Sequence, residues 1–114
     1  MDEVAEIAAL GALYPGAKGV QVNGRMFVYI PDMAILTTGG VMTVDVLLCP
    51  HQMDLGGGYL TRLYVSKQLP NSAKASNWTA HQLLGKQWWA VSWNGVPPTQ
   101  PWPQILAAHL WAFK

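Results

Sequence analysis

At 114 residues the chain is long enough for one domain, 1–114, and too short for two of ordinary size. Hydrophobic residues make up 51% and charged residues 11%, less than half the usual quarter, which excludes a disordered chain. No apolar run approaches a membrane span, no basic-then-apolar leader opens the chain, and the few bases are dispersed, so a cytoplasmic protein without membrane or nucleic-acid partners is expected.

The net charge of +1 is unevenly divided. All six acids (Asp2, Glu3, Glu6, Asp32, Asp45 and Asp54) precede residue 55. The remainder has no acid and five bases, Arg62, Lys67, Lys74, Lys86 and Lys114. Two halves of opposite sign attract each other within one fold, or the second half meets an acidic partner.

The chain opens on an expected helix over residues 2–13. Asp2 can cap it, Glu3 and Glu6 suit its positive N-terminal end, and Tyr14-Pro15-Gly16 stops it. Val20–Val22 and Arg25–Ile30 are two strands joined by Asn23-Gly24, a strong hairpin signal. Pro31-Asp32 is expected to end the second. After a turn at Thr38-Gly39-Gly40, Met42–Leu48 alternates as a strand. His51–Gly58 is a loop, and its three glycines lack the Lys and Ser/Thr of a phosphate loop. Tyr59–Ser66 is the fourth strand, from which Arg62 could meet Asp45 across the sheet. Leu69–Ser76 is polar loop.

The stretch Asn77–Trp102 then holds five of the six tryptophans and is expected to be irregular. Pro101 and Pro103 introduce a last helix whose apolar stripe is Ile105, Leu106, His109, Leu110 and Phe113. The fold class is therefore α+β: a four-stranded antiparallel meander with flanking N- and C-terminal helices.

Catalytic constellations are sparse. Cys49 is the single cysteine, so neither a disulfide nor a multi-cysteine metal site is possible within the chain. It ends a strand and has His51 two residues on, a pairing that could activate a thiol; in the apolar setting LLCP it reads more readily as a small buried hydrophobe. His51, His81, His109 and Asp54 lack metal-site spacing, and no metal or other cofactor is expected. The tryptophans serve either as core or as a binding platform.

Several segments resemble a known family. Asp45-Val-Leu-Leu-Cys-Pro50 followed by Gly58-Tyr59, then Gly85-Lys86-Gln87-Trp88 with Ser92, then Trp102, then His109-Leu110, are similar in order and spacing to the bacterial ubiquitin-conjugating-enzyme-like (UBC-fold) proteins of prokaryotic group E. The resemblance spans roughly residues 12–113 and implies a trimmed UBC-like fold. Conjugating enzymes place their cysteine after the fourth strand, behind His-Pro-Asn. This chain offers only His81-Gln82-Leu83 there, with tryptophans and a serine but no cysteine up to Trp102. The usual Tyr-Pro-x-x-Pro-Pro run is also missing, since Leu60 follows Tyr59.

The resemblance therefore implies a pseudoenzyme: a non-catalytic adaptor or scaffold, in a bacterial ubiquitin-like modification system of the kind associated with antiphage defence. Its partners would be a ubiquitin-like protein and its activating enzyme. The candidate partner-binding residues are His81, Lys86, Trp88, Ser92 and Trp102, with the three that carry the family pattern (Trp88, Ser92 and Trp102) read mostly as packing. Two alternatives stand beside it: a conjugating enzyme carrying a thioester on Cys49 with His51 or His81 as base, and an unrelated aromatic-platform module.

Overall fold

A computed structural model of the chain describes residues 2–51, 59–70, 77–93 and 95–114. In chain order the elements are helix α1 (Glu3–Leu13), strands β1 (Lys18–Val22), β2 (Arg25–Thr37), β3 (Gly40–Cys49), β4 (Arg62–Val65), β5 (Trp78–Leu83) and β6 (Lys86–Val91), and helix α2 (Trp102–Leu110), which tightens into a 3-10 turn over Trp111–Phe113. The strands form one antiparallel sheet in the order β1-β2-β3-β4-β6-β5. The α+β class and the first four strands agree with the sequence reading, but the sheet has six strands rather than four.

The additional pair is the β5–β6 hairpin, inside the stretch expected to be irregular. It turns at Leu84-Gly85, both at positive φ (54° and 74°), as a type I′ turn requires. Asn23-Gly24 does the same between β1 and β2 with the residues such turns prefer (φ 51° and 78°). Leucine in that position carries no turn signal, so the hairpin was hidden in the sequence.

Strand β2 also runs past its expected end at Pro31-Asp32. The pairing with β3 shifts between Ile30↔Val46 and Met33↔Val44, so two residues oppose the single Asp45. Proline, lacking an N–H, is tolerated at such a bulge. Asp32 lies at φ 50°, and its N–H donates to the Asp45 carboxylate (3.0 Å) instead of to a strand carbonyl. The extra residue has a packing consequence. It keeps Val28 and Ile30 before the bulge, and Met33 and Ile35 after it, on one face of the sheet.

That face carries the main core, closed by Leu10 of α1 and by Trp102, Ile105, Leu106 and Phe113 of the C-terminal helical segment. Asp2 caps α1 by accepting from the Val4 N–H at 3.0 Å. Helix α2 has Pro101 at its N-cap position and no side-chain cap of its own. Its first N–H, that of Trp102, instead donates to the Glu6 carboxylate of α1 at 3.1 Å. An acid from one helix thus meets the positive end of the other.

Within α2, His109 is buried among apolar neighbours and satisfied. The Thr61 hydroxyl donates to the Val96 carbonyl (2.9 Å), so its oxygen accepts from the His109 Nε2–H (2.7 Å), fixing the tautomer. Burial, and secondarily the Arg62 charge, push the His109 pKa down to about 4. Among the described residues, no helix is long and apolar enough to cross a membrane.

Candidate functional site

The face of the sheet opposite the helices holds a second cluster: Val22, Phe27, Leu47, Cys49, Tyr64, Trp88 and Ala90. Period-2 alternation decides membership, and it sends the adjacent Trp88 and Trp89 to opposite faces. Trp88 is fully buried. Its indole N–H donates to the Leu83 carbonyl across the hairpin (3.0 Å), and its ring meets Tyr29 edge-on with centroids 6.1 Å apart.

Tyr29 and Trp88 stand on β2 and β6, separated by β3 and β4. Three strand spacings are about 14 Å in a flat sheet. The contact therefore needs the sheet to roll inward with both rings leaning together, and the Phe27–Tyr64 stack across β3 (6.4 Å) agrees. The rolled face brings two ends of the sheet towards each other. Lys18 and Val20 of the β1 edge and Leu84 and Lys86 of the β5–β6 turn border one cleft, with Tyr29 and Trp88 between them. Its volume is about 220 Å³.

At one end of this face, Asp45 is the hub. It accepts from the Asp32 N–H and pairs with the Lys86 ammonium at 3.3 Å. The Asp32 N–H first, then Lys86 and the Tyr29 hydroxyl, hold Asp45 below its usual pKa against the opposing effect of burial. Burial and the Asp45 charge raise Tyr29. The Asp45–Lys86 pair joins the acidic half of the chain to the basic half. The expected Arg62–Asp45 pair does not form, because the β3–β4 register sets Arg62 opposite Cys49.

Arg62 organises the other end. It is only 9% exposed, stacks its guanidinium on the Tyr59 ring at 3.8 Å, and donates from Nη2 to the Thr79 hydroxyl at 3.2 Å. The Thr79 hydroxyl also donates to the Ala90 carbonyl (3.4 Å) and shares a hydrogen bond with Nε2 of His81 at 2.8 Å. Burial and then the Arg62 charge depress the His81 pKa.

The remaining candidates from the sequence are dispersed. Cys49 is fully buried; burial pushes its thiol up to about 11, and its Sγ–H donates to the His51 backbone carbonyl at 3.3 Å. The His51 ring engages Glu3 (3.3 Å) and meets the Trp102 ring at a right angle. A thiol acting as nucleophile needs exposure and a lowered pKa, and Cys49 has neither. Trp102 is core, and Ser92 is half-buried with its N–H bonded to the Asn77 carbonyl, closing the open end of the hairpin. The structure thus brings His81, Lys86 and Trp88 together on one hairpin and separates them from Trp102. Asp54, the glycine loop and most of the polar loop before Asn77 lie outside the described residues.

Sequence reasoning passed over Lys18, Tyr29 and Thr79. The alternation within β1 and β2 could have grouped Tyr29 with Phe27, but only the roll of the sheet brings Lys18 near Lys86. Among the described residues no group of three or more His, Cys, Asp or Glu side chains could hold a metal ion. No family model matches the chain, and neither a curated protein nor a solved structure matches it.

Proposed function

We propose that this protein is a non-catalytic adaptor or scaffold of a bacterial ubiquitin-like modification system, acting in antiphage defence and binding a ubiquitin-like protein or its activating enzyme. The link to that system rests on the resemblance of the Asp45–Pro50, Gly85–Ser92 and His109-Leu110 segments to UBC-like proteins. One observation carries the choice of adaptor over enzyme: Cys49 is sealed in the second cluster, beside the fully buried Trp88, with its pKa raised to about 11. Partner contacts fall to the accessible rim of the β5–β6 hairpin, where His81 and Lys86 stand half-buried above the tryptophan.

Burial also weighs against the aromatic-platform alternative. Trp88 and Trp102 are core, and the one strongly exposed indole, Trp111 (61%), lies on the C-terminal turn away from them.

The test is incubation with a bacterial activating enzyme, its ubiquitin-like protein and ATP, followed by size-exclusion chromatography and a non-reducing gel. The expected result is a complex without a thiol-sensitive adduct, weakened by Lys86→Glu. An adduct that disappears in Cys49→Ser would overturn the adaptor reading, and absence of any complex with either protein would remove the link to the system.

A further inference from the structure

From the geometry of the rolled face we infer that the cleft between Lys18 and Lys86 is a binding site for a small apolar carboxylate. This inference is independent of the adaptor reading, although Lys86 serves both.

The cleft is lined on three sides by carbon and at its rim by cations. The half-buried Tyr29 forms its aromatic floor above the fully buried Trp88, and Val20 and the half-exposed Leu84 its aliphatic walls. Lys86 Nζ sits 4.4 Å from the Trp88 ring centroid and 6.0 Å from that of Tyr29; Lys18 Nζ sits 5.6 Å from that of Tyr29. Both stems cover aromatic carbon, and both ammoniums remain at the mouth.

The two lysines differ in what already balances them. Lys86 is paired with Asp45, whose carboxylate is held ionised by the bulge N–H. Among the described residues Lys18 forms no ion pair. Lys18 is therefore the rim cation above the apolar floor that no carboxylate of the described residues touches, the Asp32 charge reaching Tyr29 only through space. A group with a flat or branched hydrocarbon body and a single negative charge satisfies both features. A dianion would leave a charge over carbon, and a cation would be repelled at both sides.

At about 220 Å³ the space admits one ring or one branched side chain and no more. Two carriers supply such a group: a free organic acid, or the C-terminal residue of a peptide chain. In either case the carboxylate would lie between the two ammoniums and the hydrocarbon against Tyr29, Val20 and Leu84.

The probes are benzoate with its uncharged analogue benzamide, and a short peptide ending in valine with its C-terminal amide. Binding is followed by amide and indole chemical shifts in two-dimensional NMR of the whole chain. The expected result is saturable shifts at the Trp88 indole N–H and at the Val20, Leu84 and Lys86 amides for a carboxylate form, with its amide form at least tenfold weaker. Lys18→Met, which keeps the stem at an exposed site, should weaken the carboxylate three- to fivefold, as one half-exposed ion pair does. It should leave the amide analogue unchanged. Val20→Phe, which fills the wall, should abolish the shifts, and the folded spectrum of each variant checks that the loss is local.

Benzoate binding identifies a free acid as the carrier, and peptide binding without benzoate a chain terminus. Equal binding of charged and uncharged forms would overturn the inference. So would shifts elsewhere on the molecule, indifference to Lys18→Met, or no binding by either carboxylate.

Discussion

Protonating His109 should destabilise this protein, and the size of the effect follows from its site. The imidazole is 3% exposed, donates from Nε2 to Thr61, and has its pKa lowered from 6.5 to about 4. A depressed histidine pKa means that the unfolded chain binds the proton more tightly. Stability from this group is therefore fully present above about pH 6.5 and is lost as pH falls toward 4. The whole shift corresponds to about 3 kcal/mol, of which about 2 kcal/mol should disappear between pH 7 and pH 5.

The measurement is urea unfolding followed by tryptophan fluorescence at both pH values, for the natural chain and for His109→Gln. Glutamine can still donate to the Thr61 oxygen but cannot be charged. Its stability at pH 7 should be lower, by about 1–2 kcal/mol for imperfect packing and geometry. Its loss between pH 7 and pH 5 should be smaller than that of the natural chain by about 2 kcal/mol. The difference between the two proteins removes the contributions of His51, His81 and the carboxylates. Equal losses, or a His109 resonance titrating near 6.5 in the folded protein, would refute the reasoning.

Further outcomes follow from the second face. Trp88→Ala should destabilise the fold by about 3–5 kcal/mol in the same urea assay, since it empties the centre of the rolled sheet; a cost below about 1 kcal/mol would mean that the ring is not the plug. Cys49 should resist a thiol reagent in the native protein and react with one equivalent in urea; rapid native labelling would restore it as a candidate nucleophile. Leu84→Asn should stabilise by about 1 kcal/mol, because leucine is strained at φ 54° and is half-exposed there. A thermal melt unchanged or lowered by that variant would count against strain in the turn.

Parts of the site were legible in the sequence for reasons that are local. The Lys86 to Trp88 run drew notice by composition, and the adjacent tryptophans fixed opposite faces once a strand was granted. What concealed the strand was Leu84, which occupies a turn position that sequence rules reserve for Asn or Gly. Asp45 stood out as the acid of an alternating strand, but its partner was expected to be Arg62. Choosing Lys86 instead depends on the strand order, since β6 rather than β5 pairs with β4.

The sequence alone determined the elements that local chemistry dictates: the capped first helix, the Asn23-Gly24 hairpin, the alternating β3 strand and the apolar stripe of α2. It also determined that only one thiol exists to do chemistry. Tertiary structure decided the rest, because these matters depend on approach across the sheet and on burial. Pro31-Asp32 became a bulge inside a strand because Asp45 could accept the displaced N–H. Glu6 became the cap of a helix that begins at Trp102 because the two helices lie together. Cys49 became a buried core residue because the rolled face closes over it, and that same roll brought Lys18 and Lys86 to the two sides of one cleft.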